Sequence, residues 1–253
     1  MDRLNATTEQ IHERLFYMAK KVTEVLERHD IPYSIAYGTL LGAVRHKGFI
    51  PWDEDFDLWL FDDSYEVAVK YLREELSQDL FVEDEHSEPK YFHQWAHVKD
   101  LNSALKHTKY LHDDCYEHNG LSIDLYRLKQ VKEYELWKFL NDENRRYIER
   151  RWELGLMSNE EYEDRLKRLE EDKKKENQVD KTKEEDVYAL IIPYKCKRIY
   201  KRNVFPLKKY AFEDSAFFGV NQADIILSDI YGDYMTPTPV DQREGGHSYV
   251  EIY

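Results

Sequence analysis

The chain has 253 residues, 42% of them hydrophobic, and a formal net charge of -14 at pH 7. That length and apolar content support one large domain with a real core, and so acidic a balance excludes the broad positive field that non-specific nucleic-acid binding needs. No apolar run approaches the ~18 residues of a spanning helix. The N-terminus shows no apolar signal segment, and Cys115 and Cys196 have no metal-ligand spacing, so a reduced, cytoplasmic protein is expected.

Residues 8–29 read as a helix. Thr7 and Gln10 match a capping box, and Ile11, Leu15, Met18, Val22, Val25 and Leu26 recur on one face. Ile31-Pro32 ends it, and residues 33–36 follow as a short strand. A short helix is expected over 40–46, starting at Gly38-Thr39, where backbone N–H groups are free. A turn at 48–51 leads to a strand at 55–60, and Asp63 and Glu66 then cap a helix with Val67, Tyr71, Leu72 and Leu76 inward. Strands are expected at 80–83, 92–98 and 103–107, and Asn119-Gly120 turns into another at 121–128. From 131 to 186 Glu, Lys and Arg dominate. Ser158 and Glu161 mark a helix start there, and 170–186 reads as a solvated helix and loop. Residues 187–231 regain apolar content, pass through irregular chain, and reach a helix at 222–230 that Tyr231-Gly232-Asp233 closes.

The chemistry concentrates in residues 36–60. Alternate side chains of a strand share a face, so Asp55 and Asp57 point the same way, with Asp53 joining them if the strand starts early. Phe56, Leu58 and Leu60 take the opposite, apolar face. Neighbouring carboxylates repel one another, and a hard cation with oxygen ligands, Mg2+ or Mn2+, is the natural compensation. Asp124, set between Ile123 and Leu125 where an unpaired charge is costly, is the candidate for a third ligand from elsewhere; a salt bridge to Arg127 is the alternative. Gly38 and Thr39 can bring backbone N–H groups to a phosphate, and Arg45, His46 and Lys47 supply positive charge between that turn and the aspartates. An EF-hand loop from Asp53 would need Gly at position 58 and Glu at 64, where Leu58 and Ser64 stand. Neither a P-loop nor a dinucleotide-binding glycine pattern is present. An Asp-x-Asp glycosyltransferase remains arguable, although the ~54 residues before Asp55 leave little room for a nucleotide-binding βαβ region.

Residues 37–57, Tyr-Gly-Thr-Leu-Leu-Gly-Ala-Val-Arg-His-Lys-Gly-Phe-Ile-Pro-Trp-Asp-Glu-Asp-Phe-Asp, resemble the signature of the LicD family, which includes bacterial phosphocholine transferases and is related to fukutin-type enzymes. Ile123-Asp124-Leu125 resembles the family's later strand aspartate, and Tyr231-Gly232-Asp233-Tyr234-Met235, followed by Pro237, resembles its C-terminal signature. Residues 131–200 match least. The family commonly has Asp where Glu54 stands and an aliphatic residue where Phe56 stands; neither change removes a proposed ligand.

The resemblance implies an α+β, nucleotidyltransferase-like fold: a mixed β-sheet flanked by helices, with helical additions. On this reading residues 1–130 form the catalytic core, 131–186 a charged helical insertion, and 187–253 a C-terminal helical region and tail completing the same domain. It implies metal-dependent transfer of a phospho-alcohol from CDP-choline, or a similar CDP-alcohol, to a hydroxyl of a glycan such as a teichoic acid or lipopolysaccharide precursor, in some cases lipid-linked. Peripheral contact with the inner membrane face is compatible with that. Gly38 and Thr39 fall at the donor phosphates, with Arg45, His46 and Lys47 beside them, and Asp55, Asp57 and Asp124 fall at the metals. Asp124 or Asp53 is the expected base, and Arg243 and His247 are candidates to close over the site. A choline cation would sit among aromatic faces, for which Tyr33, Tyr37, Trp52 and Trp95 are the candidates. The rival activities are transfer of a nucleoside monophosphate by the same metal chemistry, and a non-catalytic protein that kept the fold.

Overall fold

The computed structural model describes residues 5–107, 115–176, 180, 182–192, 195–243 and 247–253. Helix α1, Thr8–Arg28, begins with the expected capping box: the Thr7 hydroxyl accepts from Gln10 N–H, and the Gln10 side chain accepts from Thr7 N–H. Its apolar stripe, from Ile11 to Leu26, is buried, and each such side chain contributes roughly 1.5–3 kcal/mol. Strand β1, Tyr33–Ile35, leads into helix α2, Tyr37–Arg45, which starts at Tyr37 rather than Leu40. Strand β2, Phe56–Phe61, runs without a loop into helix α3, Asp62–Glu75. Asp63 and Glu66 do not cap α3. Its N-cap is Phe61, with no side-chain bond, and Asp62 and Asp63 instead place negative charge in the first turn, where the helix dipole favours it.

Strands β3 (Leu80–Glu83), β4 (Ala96–Asp100), β5 (Ser103–His107) and β6 (Ser122–Lys132) follow. The turn into β6 needs Gly120, because a Cβ there would lie 1.8 Å from the Asp100 carbonyl oxygen. Helices α4, Leu136–Glu153, and α5, Asn159–Glu176, form the charged hairpin, and Ser158 caps the second through Glu161 N–H at 3.1 Å. The hairpin is not solvated throughout: Tyr147, Ile148, Met157 and Leu169 join Tyr91, Phe92 and Tyr116 in a small core of their own.

The C-terminal part departs from the helical reading. It carries β7 (Asp186–Ile192), β8 (Lys195–Tyr200), the one-turn helix α6 (Lys201–Val204), β9 (Lys208–Phe212), β10 (Ser215–Gly219), α7 (Ala223–Tyr231) and β11 (His247–Ile252). These strands are set by partners rather than by local alternation. β7 pairs with β6, β8 with β7, and β11 with β5, while β9 and β10 pair around a tight Glu213-Asp214 turn with Glu213 at φ 51°.

The main sheet has the order β1-β2-β6-β4-β3, with β7 on the second half of β6 and β8 beyond it. β2 and β6 are parallel and every other pair in it is antiparallel. Helices α1 and α3 pack together against this sheet. The result is the α+β arrangement expected, and it makes β2 and β6 central neighbours.

Candidate active site

Asp57 and Asp124 are register partners on parallel β2 and β6, so their side chains stand side by side on one face. Phe56, Leu58 and Leu60 are buried on the other face, as expected. The aspartate face is not simply acidic, because Trp59 and Phe61 alternate with Asp57 and are also buried. β2 begins at Phe56, which leaves Asp55 exposed just ahead of the strand.

The turn before α2 fixes Asp57 from both sides. Ala36 N–H donates to the Asp57 carbonyl at 3.0 Å, and Asp57 N–H donates to the buried Thr39 hydroxyl at 2.9 Å. Thr39 thus locks helix to strand through its side chain. The space over Gly38 is taken by Asp53: a Cβ on Gly38 would come within 2.3 Å of Asp53 Oδ2. His12 Nε2 donates to the Asp53 carbonyl at 2.6 Å, which ties this loop to α1.

The carboxylates crowd one another. Burial, then the charges of Asp124, Asp55 and Asp53, hold the Asp57 carboxyl well above the usual carboxylate range. Asp53 is pushed up to about 7 by burial, then by Asp55 and Glu54. Behind Asp124 lies a polar chain that sequence reasoning missed. The Tyr126 hydroxyl donates to Asp124 Oδ2 at 3.0 Å, and His97 Nε2 lies 3.4 Å from Asp124 Oδ1. His97 Nδ1 lies 3.4 Å from buried Glu83 and 3.2 Å from the Tyr91 hydroxyl. Strand parity could have found Tyr126, two residues beyond Asp124; the register His97↔Asp124 could not be read locally.

The basic triplet divides. Arg45 Nη1 donates to the Tyr234 carbonyl at 2.5 Å, and burial, then the Arg243 charge, lower its pKa. His46 is held below the ordinary imidazole range by burial, then by Arg45, which works against the positive charge expected of it. Lys47 is exposed and its ammonium donates to the Val44 carbonyl. Arg243 comes from far along the chain to stack 3.9 Å over the Trp52 ring, and the Trp52 ring also meets His46 edge-on. The His247 side chain lies outside the described residues. Tyr231, at the end of α7, is a further member: burial, then Asp57 and Asp53, raise its phenol.

Of the four aromatic candidates, Tyr33 belongs to the core. It pairs with Leu60 on the sheet face away from Asp57, and its hydroxyl donates to Glu27. Trp52 has one face covered by Arg243. Tyr37 and Trp95 flank Tyr126, with ring centroids at 5.2 and 4.8 Å, and Asp57 and Asp124 are both among the charges acting on Tyr37.

Asp55, Asp57 and Asp124 offer hard oxygen donors, and their mutual repulsion is of the kind a divalent cation relieves. In donor chemistry and charge they fit such an ion, with Asp57 and Asp124 as the paired members and Asp55 the exposed one. As the side chains stand, among the described residues no group of three or more His, Cys, Asp or Glu forms a ready metal cluster. Among the described residues, too, no helix is long and apolar enough to cross a membrane.

Residues 30–154 match the family described as LicD/FKTN/FKRP, nucleotidyltransferase domain. The chain is 56% identical over 43 residues to the lipopolysaccharide cholinephosphotransferase LicD of Haemophilus influenzae, covering 17% of this chain and 16% of that protein. It is 46% identical over 43 residues to the human ribitol 5-phosphate transferase FKRP, covering 17% and 9%. An uncharacterized protein of Rickettsia typhi is 27% identical over 154 residues, covering 53% and 46%. The matches thus span less than half the length of each of these relatives.

Proposed function

The chain belongs to the LicD family, and on that premise we propose that it transfers phosphocholine, or a related phospho-alcohol, from a CDP-linked donor to a hydroxyl of a cell-surface glycan or its precursor. The observation that carries this reading is the register pairing of Asp57 with Asp124, in a site that also brings Arg45 and Arg243 together.

In this mechanism the acceptor oxygen attacks the phosphorus that bears the alcohol. The P–O bond to the nucleoside monophosphate breaks, and CMP leaves with that electron pair. Mg2+ or Mn2+, held by Asp55, Asp57 and Asp124, would supply the charge that neutralises the diphosphate and the leaving group. Arg45 and Arg243 take phosphate oxygens, since an anion between two repelling guanidinium groups gains charge-assisted hydrogen bonds from both. Asp124, steadied by Tyr126, orients the acceptor hydroxyl and receives its proton, with Asp53 the second candidate for that role. Gly38 and Thr39 act by placing Asp53 and Asp57. A choline cation rests against Tyr37, Tyr126 and Trp95. A nucleotide donor fits a cytoplasmic site, working peripherally where the acceptor is lipid-linked.

The test is a donor and acceptor screen by mass spectrometry with the purified chain and Mg2+. Release of CMP, with a phosphocholine mass added to the glycan, is the expected result. Release of phosphocholine with a nucleoside monophosphate left on the acceptor would overturn the reading in favour of nucleotidyl transfer.

A further inference from the structure

Four ionisable side chains form one row across the main sheet. Glu83 of β3 is the register partner of His97 on β4, His97 of Asp124 on β6, and Asp124 of Asp57 on β2. Register partners share a face, so the row runs from an edge strand to the paired aspartates. Its outer two members lie inside the protein: the Glu83 side chain is fully buried and that of His97 is 5% exposed. The same face accepts apolar residues, since Trp59 and Phe61 alternate with Asp57, Leu128 follows Asp124 at the same parity, and all three are buried. An apolar side chain at position 97 would therefore fit, and a buried ion pair is weak support for stability. The row calls for a reason other than packing.

His97 is seated from behind. Its Nδ1 lies 3.2 Å from the Tyr91 hydroxyl and 3.4 Å from Glu83 Oε2, and that hydroxyl donates to the Trp95 carbonyl at 2.5 Å. The other end of the ring, Nε2, is thereby presented to Asp124 Oδ1 at 3.4 Å. Tyr126 takes the second oxygen, Oδ2, at 3.0 Å. Each oxygen of Asp124 thus faces one group of the protein. A carboxylate oxygen has two acceptor directions, so each also keeps one for a ligand.

We propose that His97 is a positioning residue: seated on Tyr91 and Glu83, it fixes the orientation in which Asp124 meets a divalent cation shared with Asp57. Carboxylate ligands of a metal depend on such outer partners for their orientation. The proposal rests on the cation site of the reading above, and not on its donor or acceptor.

The test titrates Mn2+ alone into the full chain by calorimetry, for the wild type, His97→Gln, His97→Asn and His97→Phe. Glutamine can set its amide where Nε2 stands and asparagine only where Nδ1 stands, while phenylalanine keeps a ring with neither nitrogen. His97→Asn and His97→Phe should weaken Mn2+ binding about 10- to 100-fold, and His97→Gln by less than about threefold. A residue needed only to partner Glu83 and Tyr91 would give the reverse order, with His97→Asn rescuing and His97→Gln not. Thermal melts without metal verify the fold, and His97→Phe carries the test if His97→Asn melts low. At saturating Mn2+, His97→Asn should also lower the kcat of CMP release roughly tenfold, with the donor KM within about twofold because Arg45 and Arg243 are untouched. Mn2+ affinity unmoved by His97→Asn and His97→Phe, the reverse order of rescue, or a wild type that binds no Mn2+ overturns the proposal. Affinities in the expected order with no CMP released from any CDP-alcohol keep His97 in its role and remove the transferase reading. CMP release with Mn2+ affinity unmoved by the variants does the opposite.

Discussion

The carboxylate end of β2 and β6 and the cleft lined by Tyr65, Trp95, Arg127, Glu143 and Arg146 treat charge in opposite ways. In the cleft each named cation has its carboxylate within hydrogen-bond distance. At the strand ends the charges that bear most on Asp57 are other carboxylates, and the one that lowers Arg45 is another arginine. Like charges gathered by sign are unfavourable until a ligand brings the opposite one. The named cations of the cleft are therefore satisfied within the protein, whereas the strand ends suit a cation and an anion arriving together, as a metal diphosphate does.

The largest effect should come from Asp57. Asp57→Ala should lower turnover about 10³-fold or more, because a carboxylate that would hold the cation opposite the reacting phosphate is gone, as an assay of CMP release would show. The same residue should cost stability in the metal-free protein, since burial and neighbouring carboxylates oppose its charge. Asp57→Asn should thus melt higher than the wild type by a few degrees, the scale of ~1 kcal/mol in a domain of this size, when divalent ions are chelated. Lower melting with retained turnover would break the contrast between the regions. Next come the arginines. Arg45→Ala or Arg243→Ala should raise the donor KM roughly 10- to 100-fold, the worth of one or two charge-assisted contacts. Arg243→Lys should recover only part of it, because lysine keeps the charge but loses the planar stacking on Trp52. A smaller loss, about tenfold in kcat, is expected for Gly38→Ala, read in the same assay beside an unchanged melt. The new Cβ would push against Asp53 Oδ2, the free end of a side chain, and so displace the site without unfolding it.

The sequence made one side of this comparison legible and hid the other. Period-2 alternation put Phe56, Leu58 and Leu60 in the core, and the cost of a lone aspartate between Ile123 and Leu125 singled out Asp124. The capping box at Thr7 and the cap at Ser158 are local signals, and both appear where expected. Register is not local. Asp57 beside Asp124, His97 beside Asp124, and the switch of β6 from β4 to β7 depend on which strands meet. The strands after residue 186 were hidden for the same reason: Arg198, Lys208 and Lys209 are exposed charges in two of them, and pairing decides the state of both strands. Gly38 shows a subtler limit. Its pattern promised a phosphate turn, whereas the atom that needs the missing Cβ is an Asp53 oxygen.

The smallest effect separates the two regions through pH. Glu83 is the register partner of His97, with its side chain fully buried. Its carboxyl is pushed up to about 7 by burial, against the opposing pull of Lys99. His97 and Lys99 approach one oxygen at 3.4 and 4.0 Å, and the other has no hydrogen-bond partner. Below the ordinary glutamate range both folded and unfolded chains hold this proton. Between there and about 7 only the folded chain does, so the group's contribution is fully present at low pH and lost as pH rises through 7. Glu83→Gln should remove that share, at most about 3 kcal/mol, and flatten the melting temperature between pH 5 and 8. Asp53 and Asp57 are shifted in the same direction, so a residual slope should persist in Glu83→Gln and shrink when Mg2+ is added. The Glu83 share in the wild type should ignore Mg2+, because a cation on Asp55, Asp57 and Asp124 reaches Glu83 only through His97. Melts across pH, with and without Mg2+, thus assign each part of the slope to its region, and a Glu83 share that vanished with the metal would merge the two into one electrostatic unit.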